Sequence, residues 1–97
     1  MSKAYVLIAN ESGTEDSIIS NLNKIESVNE AHGTFGSYDI LTKLKSYDEG
    51  KIHHDISNGI RKIQKIRSTL TLWVNEKQSF DKVNKIEKEV LEKYMVQ

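Results

Sequence analysis

Residues Glu30–Leu44 read EAHGTFGSYDILTKL, two short β-type runs on either side of Gly36-Ser37. A two-residue hairpin loop with glycine first, at positive φ, fits that dipeptide. In this register Phe35 faces Tyr38 across the turn and Glu30 faces Lys43 as an opposite-charge pair. Strand periodicity then puts Ala31, Gly33, Phe35, Tyr38, Ile40, Thr42 and Leu44 on one face, read as core. His32, Thr34, Asp39, Leu41 and Lys43 fall on the other. A slip of one residue would exchange the two faces.

Working outward, Lys3 to Asn10 (KAYVLIAN) is apolar at both parities, with Ala4, Val6 and Ile8 on one side and Tyr5, Leu7 and Ala9 on the other. A strand apolar on both sides is a central one. After the polar Asn10–Gly13 loop, Thr14 is placed to cap a helix striped by Ile18, Leu22 and Ile25. Downstream of the hairpin, Ser46-Tyr47-Asp48 offers a second helix start, and Ile52, Ile56, Ile60 and Ile63 give the strongest helical stripe in the chain. Gly59 lies within that stripe and reads as a close approach to a neighbouring strand. Ile66 to Val74 alternates as a strand, Leu70, Leu72 and Val74 on one face and Thr69, Thr71 and Trp73 on the other. Asn75 to Gln78 is a polar link. Ser79 is then placed to cap a third helix marked by Phe80, Val83, Ile86, Val90 and Tyr94.

The order β-α-β-β-α-β is the ferredoxin-like arrangement, an α+β fold with strands in the order 4-1-3-2 and two helices on one face. We read residues 3–76 as this domain and residues 79–97 as a helical extension. Two helices leave the second face of the sheet uncovered, and Tyr5, Leu7 and Trp73 are expected there. Of the chain's own segments only the last helix is long enough to cover them; the commoner solution, and the expected one, is a second subunit packed sheet against sheet. The same topology gathers Ala9 and Asn10, the hairpin tip from Gly36 to Asp39, and the stretch from Arg67 to Thr69 at one edge.

Composition limits the function classes. The 97 residues carry 14 basic and 14 acidic side chains and no cysteine. That size makes one domain, and the neutral balance lacks the long-range field that gathers nucleic acid or anionic lipid. No apolar run is long enough to span a bilayer and no signal peptide is evident, so a cytoplasmic protein is expected. His53 and His54 are adjacent, about 100° apart on a helix, and cannot chelate together; with His32 remote and no cysteines, no metal site is expected. Arg61, Lys62, Lys65 and Arg67 read as a solvated face complementing a helix C-terminus. No nucleophile–base pair or phosphate loop is visible, so neither enzyme nor cofactor is expected. Asp39 reads more readily as a turn residue bonded to its own backbone than as a ligand for an ammonium group.

FGSYDILTKL, followed by an isoleucine-striped helix and IRSTLTLWV, resembles the ligand-binding domain of the Lrp/AsnC (feast/famine) regulators over about Lys3 to Val74. The resemblance implies a sheet-mediated dimer that assembles further. It also implies a small effector, commonly an amino acid, bound near the hairpin turn between dimers. Gly36, Tyr38 and Asp39 match the turn motif, and Arg67, Thr69 and Thr71 match the effector-contacting strand. The family's N-terminal helix-turn-helix has no counterpart ahead of the first strand, so the chain reads as a stand-alone form that modulates a full-length partner regulator rather than binding DNA itself. Where many relatives have Gly-Val before the last strand, this chain has Lys65-Ile66. Two other readings compete. One is a small dimeric α+β-barrel enzyme of the antibiotic-monooxygenase type, which needs a polar cavity between sheet and helices. The other is an assembly module that binds no ligand.

Overall fold

The computed structural model describes residues 1–80. Four strands, β1 (Ser2–Asn10), β2 (Val28–Gly33), β3 (Ile40–Ser46) and β4 (Ile66–Trp73), form one antiparallel sheet in the order β2-β3-β1-β4. This is the expected ferredoxin-like order, with α1 (Glu15–Leu22) joining β1 to β2 and α2 (Glu49–His54) leading from β3 towards β4. The third helix expected over residues 79–97 lies outside the described residues beyond its first two positions.

β1 is central because both its faces are apolar. Ala4, Val6 and Ile8 are fully buried under the helices, and the alternating Tyr5, Leu7 and Ala9 are half-buried on the open side. Ile40 and Leu44 of β3, Ile18 and Leu22 of α1, and Ile52, Ile56 and Ile60 complete the core. Each such side chain contributes about 1.5–3 kcal/mol by its burial. Thr42 is also fully buried in this layer, between Val6 of β1 and Ala31 of β2, and its Oγ1 has no partner.

The isoleucine stripe bends its helix. Asp48 caps α2, its Oδ1 accepting from Gly50 N at 2.9 Å. Four-residue spacing drifts by about 40° per step on a 3.6-residue helix. The chain meets the drift with a π turn over Asp55–Gly59, then a 3-10 turn over Ile60–Lys62, which keeps Ile56 and Ile60 in the core. Gly59 sits where a Cβ would lie 3.0 Å from Ile25 Cδ1. The close approach is therefore to the turn after α1, not to a strand as expected. Ile25 itself lies beyond the end of α1 and reaches the core from that turn.

Asp55 ties this helix to the segment entering β2. Its Oδ2 accepts from Ser27 N at 3.2 Å, and its Oδ1 lies 3.3 Å from Lys51 Nζ, which also reaches Glu26 at 3.4 Å. Burial pushes the Asp55 carboxyl up, but the Ser27 hydroxyl dipole, the Ser27 amide and the Lys51 ammonium outweigh it, leaving the pKa below the ordinary value. Ser27 Oγ completes no hydrogen bond, so its share is that of a nearby dipole.

The hairpin keeps the expected register and loses the expected turn. Glu30 pairs with Lys43, Ala31 with Thr42, His32 with Leu41 and Gly33 with Ile40. The strands stop there, and Thr34–Asp39 is a loop, not a two-residue turn. Thr34 N still donates to Asp39 O at 2.8 Å, but Asp39 N turns away to Ile8 O of β1, also 2.8 Å. Phe35, expected in the core, is consequently fully exposed, and Tyr38 is half-buried. Gly36 does take a positive φ, 129°.

In β4 the two faces exchange roles. Pairing of Val6 with Thr71 and of Ala4 with Trp73 puts Thr69, Thr71 and Trp73 on the helix side. Trp73, expected on the open face, instead stacks on His53 of α2 with ring centroids 4.3 Å apart. Leu70 and Leu72, opposite Leu7 and Tyr5, take the open face and are 42% and 48% exposed.

Two outcomes are expected. Thr42→Val removes a buried hydroxyl without a partner at nearly constant shape, and denaturant unfolding should show a gain of about 1–2 kcal/mol. The folded Asp55 pKa is depressed, so its stabilising contribution is complete above the unfolded value and is lost as pH falls through the folded one. The stability gap between wild type and Asp55→Asn should therefore be widest above about pH 5 and close below about pH 4; a gap constant with pH would remove the carboxylate from this account.

Candidate functional site

The polar edge expected from topology forms where β1 ends between β3 and β4. Pairing of β1 with β4 is regular to Ala9↔Ser68, then slips so that Asn10 faces Ile66 and Arg67 is the extra residue of a bulge. Arg67 is exposed there. On the other side of β1, Asn10 N donates to Asp39 Oδ2 at 2.9 Å. The Asn10 side chain is 6% exposed; its Nδ2 donates to Glu11 O at 2.8 Å and Thr14 Oγ1 at 3.1 Å, while its Oδ1 has no partner. Thr14, placed as the α1 cap, makes no side-chain capping bond and gives its hydroxyl proton to Glu11 O at 2.6 Å.

The return to β4 is tied to the same edge. Glu11 N donates to Lys65 O at 2.9 Å, and Lys65 Nζ lies 3.7 Å from Glu11. Lys65 has φ 75°, at the position where the sequence resemblance places a glycine. A non-glycine residue in the left-handed region costs about 1–2 kcal/mol. The backbone here needs glycine geometry whether or not glycine supplies it.

The six sequence-predicted residues divide into three groups. Asp39 and Arg67 flank the end of β1, one from the β3 side and one from the β4 side. Gly36 and Tyr38 belong to the adjoining loop, which Thr34 Oγ1 braces by donating to Tyr38 O at 2.8 Å. Thr69 and Thr71 lie further along β4 on the helix side, half-buried, and Thr71 Oγ1 is buried without a partner. They do not join Asp39 and Arg67 at the edge. Sequence reading placed Asn10 at this edge but gave it no role; its side chain organises the corner, and its position at the polar end of an apolar strand was the available signal. Sequence reading missed Leu70 and Leu72, which only the β1–β4 register identifies as open-face residues.

Chemically, the edge offers a carboxylate already engaged by a backbone amide, an exposed guanidinium, and a glycine-opened loop. No cluster of three or more potential metal ligands occurs among the described residues. No helix among them is long and apolar enough to cross a membrane. Two cavities open beside α1. One of about 450 Å³ opens beside α1 and the end of the second helix, lined by Ser17, Asn21, Lys62 and Lys65 among others. Another, of about 320 Å³, lies between α1 and β2.

No family model and no curated protein matches the sequence. Solved structures do. FFRP-DM1 is similar with a TM-score of 0.72 and 27% identity, over 77% of this chain and 100% of that one. AsnC of E. coli is similar with a TM-score of 0.72 and 26% identity, over 84% of this chain and 56% of that one. The structural neighbours are feast/famine proteins of the Lrp/AsnC family. A transcriptional regulator of Neisseria meningitidis, solved as a complex with L-Met, has a TM-score of 0.69 over 84% of this chain and 54% of that one. At 11% identity that likeness is one of fold alone. The chain thus spans all of FFRP-DM1 and little more than half of the two regulators.

Asp39→Ala should remove the acceptor of Asn10 N and lower stability by about 1–3 kcal/mol. Amide exchange at Asn10 should accelerate while the circular dichroism stays that of the wild type. Unchanged stability would mean that Asp39 does not hold the two strands together.

Proposed function

We propose that this chain is an effector-sensing domain of the Lrp/AsnC type, without catalytic activity. It binds an amino acid at the end of β1 between Asp39 and Arg67 and passes that occupancy to a partner regulator in the cytoplasm. The observation that carries this reading is the likeness to FFRP-DM1 over that chain's full length. The Asp39 side chain accepts from Asn10 N through Oδ2, and the same group is the acceptor proposed for the ligand's ammonium. Arg67 offers a fork for a carboxylate. The loop at Gly36 admits a ligand close to the backbone. Thr69 and Thr71 act from the inner face, behind the site rather than in it.

Self-association through the open face of the sheet belongs to the same proposal. Tyr5, Leu7 and Leu41 are half-buried there and Leu70 and Leu72 exposed, a contiguous apolar surface across three strands. The enzyme reading needs a polar cavity between sheet and helices. That space is filled by Val6, Ile8, Ile18, Leu22, Ile40 and Ile52, each 1% exposed or less. None of these six side chains lines the cavity between α1 and β2.

The test is a thermal-shift and calorimetric screen of the amino acids, with light scattering alongside. A true effector at about 100 times its Kd stabilises the fold by about 2.7 kcal/mol. Arg67→Ala, at an exposed bulge position, should abolish that shift and leave the ligand-free melting temperature unchanged. Leu7→Asp should dissociate the dimer while secondary structure persists. Full ligand response in Arg67→Ala would move the site away from this edge.

A further inference from the structure

The four basic residues clustered before and within β4 have different surroundings. Arg67 is the extra residue of the β4 bulge and Arg61 is exposed, while Lys62 and Lys65 line the cavity of about 450 Å³ beside α1. Its α1 wall is made by Ser17 and Asn21, one turn apart and so on one face of the helix. Asn21 Nδ2 donates to Ser17 O at 3.1 Å, which holds that amide at the wall. Ile63 and Gln64 join the two lysines on the other side. The lining thus carries two ammonium groups, two carboxamides and a hydroxyl, and no carboxylate. α1 sorts the charges: Asp16, next to Ser17 in sequence, lines the separate cavity towards β2. Lys65 gives an independent signal. It holds φ 75°, a conformation that is costly for any residue with a Cβ and that glycine would relieve. Its ion pair with Glu11, at 3.7 Å between side chains 58% and 49% exposed, is of the weak, solvent-screened kind and does not offset that strain. A strained position that keeps its lysine points to a use for the ammonium group.

We propose that this cavity binds a sugar phosphate, the phosphate held by Lys62 and Lys65 and the sugar hydroxyls by Ser17, Asn21 and Gln64. Charge selects the head group. Two ammonium groups with amide and hydroxyl donors beside them match a phosphomonoester, which carries nearly two negative charges and three acceptor oxygens. A carboxylate brings one charge and two oxygens. Size requires more than the head group. The volume lies within the range of small-ligand sites and leaves room that a bare phosphate does not fill. The lining then selects the organic part. None of the described residues around the cavity is aromatic, so a nucleotide base has no platform to stack on. Carboxamides and a hydroxyl instead suit a polyhydroxylated ring or chain. The cavity is separate from the edge between Asp39 and Arg67, and the proposal does not rest on the effector reading of that edge.

The experiment is a titration of the 15N-labelled full-length chain with glucose 6-phosphate and with ribose 5-phosphate. Glucose, inorganic phosphate, sulfate and AMP are compared at constant ionic strength. Saturable shifts should centre on the amides of Ser17, Asn21, Lys62, Gln64 and Lys65, with at least one sugar phosphate bound more tightly than inorganic phosphate and no saturation by glucose or sulfate. Lys62→Ala should weaken binding by about tenfold or more, the loss of one charge-assisted hydrogen bond. Lys45→Ala removes the same charge from the open face and should leave the affinity as it is. Glu11→Gln takes away the carboxylate that competes for Lys65 and should tighten binding severalfold; a lysine kept only for that ion pair gives no such gain. Melting temperatures and circular dichroism of the variants separate a lost contact from a lost fold. Saturation by sulfate to the same degree reduces the site to surface charge, and equal affinity for inorganic phosphate removes the sugar subsite. Tighter binding of AMP makes the ligand a nucleotide. Each of these overturns the proposal, as does wild-type affinity in Lys62→Ala or the absence of binding by both sugar phosphates.

Discussion

Pairing on both sides of β1 is the constraint from which the rest of the molecule follows. Seven residue pairs join it to β3 and seven to β4, so both ladders take their register from one strand. Because side chains alternate, the burial of Ala4, Val6 and Ile8 decides which face of β3 and β4 meets the helices. A slip by one residue on either side would bring Lys43 or Leu72 into the helix layer and expel Thr42 or Thr71. On the β3 side such a slip would also expel Ile40 and Leu44, both fully buried, and the unpartnered hydroxyl of Thr42 is small beside that.

The same logic explains how far the sequence could be read. Strand order and hairpin register were legible because they rest on parity, and parity is visible in Glu30–Lys43 and in the two apolar sides of β1. The face of β4 was not legible. Leu70, Leu72 and Val74 look like a core set on hydrophobicity, and Thr69, Thr71 and Trp73 like an outer one. The structure uses them the other way because Val6 pairs with Thr71, information that lives in a partner sixty-five positions away. The turn failed for a similar reason. Gly36 signals a positive φ correctly, but Asp39 N bonds to Ile8 O in a third strand, and no local pattern announces that competitor. The candidate site was legible as a place, since topology alone gathers the strand ends. Its membership was not, because Asn10 acts through a buried amide and the two threonines face inward.

An apolar open face on a sheet whose helices are already in place is a demand for a cover. The cover proposed above is a second copy of the sheet, and the face it would meet is not uniform. Around Leu7, Leu41 and Leu70 it is aliphatic; around Lys3, Lys43 and Lys45 it carries ammonium groups beside Tyr5, Leu72 and Val74. Flat sheet-to-sheet packing suits the first region. In the second, lysine stems can cover apolar surface while their charges stay in water.

Two bulges give the sheet its final sorting, and they solve one problem. Regular pairing of β4 past Ser68 would place Arg67 opposite Asn10, on the inner face. The extra residue at the bulge lifts Arg67 out and gives that slot to Ile66, which packs against the core. Regular pairing of β2 before Glu30 would likewise turn Asn29 inward. A bulge between Val28 and Glu30 leaves Asn29 exposed and sets Val28 opposite Leu44, against the same core. In each strand the sequence has its apolar residue one position out of phase with strict alternation, and the backbone absorbs the mismatch. At β2 the result is only a sealed core. At β4 it also presents Arg67 at the strand end, across β1 from a carboxylate held by Asn10 N, and Lys65 takes the left-handed conformation that leads into it. The polar edge is thus produced by the same packing requirement that closes the core, and a change that regularised the bulge would remove both.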